Sequence, residues 1–310
     1  MPSITTRLSA GVDDALTHLP LAVVPLVIAV LDAGKIRSVL AFDGVHVGIR
    51  FTLPASVLST WSFVSVPNDG TVSAGIPPSA LAEPSVLALA VGGLLVTSAL
   101  AAGYFGSLAN ALAGEPYRFA ENVRRYLPAF LVFTVAPVVV LSPLVLLAGA
   151  PSAIGIAVIA LALAGILVAT YLLYATPYLL VLRETDLLTA ARASYALAVD
   201  GGAYLSYALG FVAVVVVVSP VLSAITVSVP VVGLAVGIPV GAVLGLAGNL
   251  ATMRFVADID PESDGFDRDG NRPGVHSDGR RDAGDDGNNG DDGEDNTPSP
   301  GGDDPHQWKE

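Results

Sequence analysis

The sequence predicts an all-α fold: a six-helix transmembrane bundle with a small extracellular loop or β-hairpin cap and a disordered acidic C-terminal tail. Three observations lead there. Residues 84–114, 126–182 and 201–253 contain no Asp, Glu, Lys or Arg. The last of these stretches places Gly233, Gly237, Gly241 and Gly245 at intervals of four, hence on one stripe of an α-helix. The net charge of −13 sits almost wholly beyond residue 257, where 17 of the 28 acids but only 5 of the 15 Lys+Arg are found. Residues 1–257 are therefore one nearly neutral apolar transmembrane domain, and 258–310 a separate tail.

The elements follow in order. Leu19–Leu31 is too short to cross a bilayer, but extended to about 15–32 it reaches the lower limit for a spanning helix. Asp13 and Asp14 ahead of it argue against a secretory signal, which needs positive charge there. Residues 33–84 are an outer loop, long enough to be ordered. Within it Val45–Phe51 reads as a strand, and Asp43-Gly44 after Ser38–Phe42 is a hairpin signal. Ser59–Val66 is a second candidate strand before a turn at Asn68-Asp69-Gly70, and Pro77-Pro78 and Pro84 close the region. Trp61 and Phe63 are expected either to dip into the headgroup layer or to pack on the hairpin face.

The remaining spans are expected near 85–113, 126–149, 151–182, 203–228 and 229–253, with Pro151 and Pro230 breaking stretches too long for one helix. In lipid the glycine stripe of the last span is a packing seam, because a helix without side chains on one face admits a neighbour to backbone contact. The third–fourth and fifth–sixth helices read as two copies of one hairpin. Val138–Pro143 (VVVLSP) matches Val215–Pro220 (VVVVSP) at an offset of 77, and Ile154–Val158 matches Val232–Val236 at 78.

Arg118, Arg124, Arg125, Arg183, Arg192 and Arg254 all fall on one side of this six-helix layout. The positive-inside rule makes them cytoplasmic anchors and puts both termini in the cytoplasm of a multi-pass cell-membrane protein. Lys35, Arg37 and Arg50 oppose that count but lie in the long outer loop. The tail holds almost nothing apolar and cannot offset its ordering entropy. Only two lysines accompany thirteen arginines, an Asp-rich, Lys-poor bias that resembles proteins of salt-loving archaea.

Few residues are placed for chemistry. The absence of cysteine excludes disulfides and thiolate sites. Asp260-x-Glu262-x-Asp264-Gly265 begins like a calcium loop, but position twelve is Asn271, and a solvated tail is the better reading. His18 and His46 fall on opposite predicted sides. No catalytic, cofactor-binding or metal-binding residue is expected, and no cofactor or nucleic acid. Asn110 and Asn249 are candidate interhelical polar contacts, worth roughly 0.6 kcal/mol each. Tyr104, Tyr171, Tyr174 and Tyr178 read as belt or packing residues. The lack of ionisable residues within the five long spans counts against ion-coupled transport.

Residues 184–199 read as an amphipathic surface helix with Leu187, Leu188, Ala191, Tyr195 and Ala198 on its apolar face. Tyr174-Ala175-Thr176-Pro177-Tyr178 and Ala190-Ala191-Arg192-Ala193-Ser194 carry a resemblance over roughly residues 170–256. Here the chain resembles a class of uncharacterised haloarchaeal multi-spanning membrane proteins. More distantly it is similar to the membrane domain attached to some glycerophosphodiester phosphodiesterases. The resemblance implies a membrane location and no enzymatic role, since the phosphodiesterase catalytic domain is absent. The expected partners are the lipid bilayer and either a membrane protein or a second copy of the chain. The leading functional expectation is a non-enzymatic scaffold or accessory subunit, and the alternative a small permease or exporter for an apolar or weakly polar solute.

Overall fold

Among the described residues every regular element is helical, and the long helices are the charge-free stretches. The computed structural model describes residues 4–54, 57–67, 83–148 and 153–263, all within the unit Met1–Gly274. Helices α1 (Ile4–Thr17), α2 (Val23–Leu31) and α3 (Ala33–Leu40) precede the loop region. There follow α4 (Pro84–Leu112), α5 (Phe119–Ala148), α6 (Ala153–Leu173), α7 (Thr176–Leu182), α8 (Leu187–Asp200), α9 (Gly202–Ser228) and α10 (Pro230–Ile259). Five spans are long and apolar enough to cross a membrane: α4, α5, α6 with α7, α9 and α10. Counting the bent N-terminal helix pair as one span makes six. The chain is a multi-pass membrane protein.

The first expected span is not a straight helix. The chain bends by 94° between Ile4–Thr17 and Leu19–Leu31. Leu19–Ala22 forms a 3₁₀ turn with a proline in its first positions, and Pro20 brings no backbone donor to continue the α-helical ladder. Helix α1 is thereby turned against the C-terminal half of α10. A Cβ at Gly11 would stand 2.5 Å from the Ala247 carbonyl oxygen and 2.7 Å from Ala251 Cβ, so only glycine allows this approach. Arg7–Asp258 and Arg254–Asp14 ion pairs close the contact at 2.5 and 2.6 Å.

The expected hairpin is also absent. Ser38–Leu40 belongs to α3, whose N-terminus is capped by the Asp32 carboxylate accepting from the Lys35 N–H. Residues 45–53 and 64–66 form no ladder with each other; their backbone bonds instead to serines along the side of α9, as described below. The turn expected at Asn68-Asp69-Gly70 and the Pro77-Pro78 pair lie outside the described residues. Trp61 and Phe63 are buried with Val39, Phe211 and Val215, not in a headgroup layer.

The glycine stripe of α10 faces two different neighbours. Gly233 abuts the Ile225 and Thr226 carbonyls at the end of α9, and Gly237 abuts Thr226 Oγ1. Gly241 abuts the Thr60 side chain, while Gly245 has Val57 and Phe63 at 3.6 and 3.9 Å from where its Cβ would be. Half of the seam is helix against helix, and the other half receives the loop. All of it packs within the chain.

Two surface elements differ from expectation. Helix α8 buries Ala190, Ser194 and Ala198, a stripe of small residues at i, i+4 and i+8, and leaves Leu188 and Tyr195 exposed. Small side chains permit close approach to α6, where the Ser194 hydroxyl donates to the Leu172 carbonyl at 2.9 Å. The body also continues beyond residue 257, because α10 runs to Ile259. Asp258 pairs with Arg7, and the Asp260 carboxylate, fully buried, pairs with Arg183, which also holds Glu262 at 2.7 Å. Asp264 and the rest of the tail lie outside the described residues.

Two stability experiments follow. Gly233→Ala sets a methyl on backbone carbonyls that have no room to yield and should cost about 1–3 kcal/mol. Gly245→Ala meets ordinary van der Waals distances and should be neutral or gain up to ~1 kcal/mol of helix propensity. Thermal unfolding in detergent should place Gly233→Ala below the parent and Gly245→Ala level with it or above, and equal melting of the two would overturn this account of the seam. Separately, a chain ending at Ser263 should melt like the full chain, whereas one ending at Ala257 strands Arg183 and should lose about 3–5 kcal/mol. Identical melting of the two truncations would put the end of the body back at 257.

Candidate functional site

Residues 43–54 and 57–66 pass into the bundle and out again. The His46 N–H donates to Ser228 Oγ at the end of α9. The Arg50 N–H donates to Ser219 Oγ, nine residues or about 13 Å further along that helix. Val57 reaches Asn249, nineteen residues or about 28 Å from the start of α10. On the way back the Thr60 hydroxyl donates to the Ile238 carbonyl, and the Ser65 N–H to Ser223 Oγ. Non-helical backbone persists at such depth only where protein or a cavity surrounds it.

Asn249 fastens the innermost point. It is fully buried on α10, and its Oδ1 accepts from the Val57 N–H at 3.1 Å and from the Tyr178 hydroxyl at 2.9 Å. Its Nδ2 donates to the Val57 carbonyl at 2.7 Å and to the Tyr104 hydroxyl at 3.1 Å. The Tyr178 hydroxyl lies 3.2 Å from the Pro54 carbonyl as well. One amide thus joins α4, α7, α10 and the inserted segment, with donor and acceptor sites both filled. Asn110 makes a different contact: its Oδ1 accepts from Asn122 on α5, and its Nδ2 donates to Glu115.

Beside the inserted segment lies a cavity of about 840 Å³. Ile28 and Leu31 of α2 and Ala88, Leu89, Gly92, Gly93 and Val96 of α4 form its apolar wall. Asp32, Lys35, Arg50, Thr52, Ser59, Ser62 and Thr97 supply polar groups. Lys35 Nζ lies 3.7 Å from Asp32 Oδ2 and 6.0 Å from the Trp61 ring, whose indole N–H is fixed by the Ala29 carbonyl at 3.0 Å. Arg50 Nε donates to the Val64 carbonyl at 3.1 Å. Ser98, next in sequence to the wall residue Thr97, is fully buried, and its hydroxyl has no hydrogen-bond partner among the described residues.

The six arginines singled out in the sequence divide by environment. Arg254 and Arg183 make buried or partly buried pairs with Asp14 and Asp260, and Arg125 makes a two-pronged pair with Glu184 in the open. Hydrogen bonding to Asp260 pushes the Arg183 guanidinium above its ordinary pKa, against the desolvation that lowers it. Arg118 lies 4.0 Å from Glu121, and Arg192 and Arg124 are exposed. Arg7 is buried and contacts Phe255 as well as Asp258, whose own side chain is exposed.

The sequence reading missed the serines. Ser219 and Ser223, one turn apart in a valine-rich helix, are a polar stripe whose purpose is to accept backbone N–H groups of the loop. Arg50 and Lys35 entered that reading as charges to be counted and not as walls of a cavity.

Replacing Asn249 with Leu should leave the Val57 amide, its carbonyl and two tyrosine hydroxyls without this partner, a loss of about 1–3 kcal/mol or more. Amide exchange at Val57 should accelerate sharply in Asn249→Leu and only mildly in Tyr178→Phe; unchanged exchange at Val57 would mean that the clasp does not hold the segment. No family model, curated protein or solved structure matches this chain.

Proposed function

We propose that the chain is a non-enzymatic permease of the cell membrane for a small, weakly polar solute that enters through the cavity between α4 and the inserted segment. The observation that carries this is the position of the cavity. It has the hydrogen-bonded inserted segment for one wall, and beside the wall residue Thr97 in the sequence of α4 stands Ser98, a fully buried hydroxyl without a partner among the described residues. A polar group left unsatisfied in one conformation is accounted for if a second conformation wets it. The positive-inside rule assigns the end with Arg7, Arg183 and Arg254, and so both termini, to the cytoplasm. The likeness to haloarchaeal multi-spanning proteins agrees with this location and adds no activity.

A second reading, an accessory subunit, is favoured by one feature. Ile156, Leu161, Leu163 and Leu167 of α6 are exposed, and an apolar groove of about 620 Å³ runs between α5 and α6. That hairpin has room for a partner helix as well as for lipid.

Because the chain has no cysteine, single cysteines report accessibility directly. In membrane vesicles, Thr97→Cys should react with an impermeant maleimide from the face opposite the arginines, and Ser98→Cys from the arginine face as well. Absence of any reaction at Ser98→Cys from the arginine face would overturn the permease reading and leave the accessory one.

A further inference from the structure

The groove between α5 and α6 ends on a polar group that nothing in the chain satisfies. It runs along α6 from Leu161 to Leu173, about 18 Å, facing Pro137 and Val140 of α5. None of its lining residues is Asp, Glu, Lys, Arg or His. Leu161 and Val140 are 75 % and 66 % exposed, so the groove is open along its length, and in a membrane protein it opens to lipid. A Cβ on Gly165 would meet no atom within 4 Å, which leaves the α6 wall bare at its middle.

Leu187 and Ala191 of α8 close the end where α6 gives way to α7. Thr176, the first residue of α7, lines that end and is 1 % exposed. Its hydroxyl has no hydrogen-bond partner among the described residues. The other polar lining residues are already bonded. Thr170 Oγ1 donates to the Ile166 carbonyl one turn back at 2.7 Å, and the Tyr174 hydroxyl donates to the Tyr204 carbonyl at 3.0 Å. Thr176 lacks the recourse of Thr170, because the helix is interrupted between Leu173 and Thr176. The Leu172 carbonyl before that break accepts from Ser194 instead.

We propose that the groove binds an uncharged long-chain carbonyl compound, such as a fatty-acid ester, whose carbonyl oxygen accepts from the Thr176 hydroxyl while its chain lies between α5 and α6 toward Leu161. The uncharged lining decides against a carboxylate or a phosphodiester, which would lose water there and find no counter-charge. The unpaired donor decides the acceptor: an alkane covers the same apolar surface but leaves the hydroxyl alone, whereas a carbonyl satisfies it. One donor at one closed end also fixes which way the chain points. The groove is separate from the cavity beside the inserted segment, and its occupancy is independent of the permease reading.

A tryptophan at the open end of the groove reports on it. The full-length chain carrying Leu161→Trp, in a non-ionic detergent, would be titrated with methyl dibromostearate, dibromooctadecane, ionised dibromostearate and dibrominated phosphatidylcholine. The parent chain, with its own Trp61 and Trp308, gives the background. We expect saturable quenching by the ester at about fivefold lower mole fraction than by any of the other three. Thr176→Val should bring the ester to the midpoint of the alkane without lowering the melting temperature, since the hydroxyl it removes has no partner in the chain. Gly165→Leu should abolish saturable quenching and also leave the melting temperature unchanged, since the new side chain grows into the open groove.

Equal midpoints for all four probes, or an ester midpoint indifferent to Thr176→Val, would overturn the proposal in favour of ordinary lipid solvation. A lower melting temperature in Thr176→Val would show that the hydroxyl is satisfied within the chain, and would overturn it as well. Emission that changes with protein concentration and resists every probe would give the groove to a second copy of the chain.

Discussion

Backbone amides placed inside an apolar bundle have no water to bond to, and each one left unpaired costs several kcal/mol. The inserted segment satisfies this constraint with side chains of α9 and α10. Ser228, Ser219 and Ser223 accept from His46, Arg50 and Ser65, and Asn249 both accepts from and donates to Val57. Outside the 3₁₀ turn at Thr60–Ser62 the segment is irregular and follows this row of partners. It cannot curl into a hairpin without giving up those bonds. The glycine stripe of α10 belongs to the same solution, since Gly241 and Gly245 clear the space that Thr60 and Val57 occupy.

This arrangement makes α10 the common wall of the molecule. It contacts α9 through Gly233 and Gly237, the inserted segment through Gly241 and Gly245, and α1 through Ala247 and Ala251. The α5–α6 hairpin carries the similar sequence yet lies in different surroundings. A Cβ on Gly165 would meet nothing within 4 Å, and α6 exposes large apolar residues on most of its surface. The second hairpin is covered by the chain itself, whereas the first leaves its apolar surface exposed. The cavity arises from the same asymmetry, where the segment that fills the α10 seam stands away from the upper half of α4.

The arginines close one end of the bundle with pairs of unequal strength. Asp260 and Arg183 are almost fully removed from solvent, so their attraction is little screened and losing one partner strands a buried charge. Arg125 and Glu184, half exposed, contribute no more than about 1 kcal/mol and less at high salt. The buried pairs tie α1, α7 and the end of α10 together, which explains why α10 stays helical into a run of acids that composition alone marks as tail. Asp258 and Asp260 are anchored by arginines far away in sequence, and the acids beyond them lie outside the described residues.

The helices were legible in the sequence because what makes them is local. Charge-free runs longer than a bilayer is thick have one stable state in lipid, and Pro230 marks a break by its own backbone chemistry. Asn249 stood out in the sequence too, with Asn110, as a candidate interhelical polar contact. Its partners were not legible. Alternation in Val45–Phe51 reads as a strand whether the bonds go to a second strand or to serines on a helix. Periodic glycines announce a close neighbour without saying which. Those answers depend on pairings between residues as far apart as 57 and 249, and 7 and 258. No local propensity encodes them; only the competition of every polar group for a partner within one packed volume selects them.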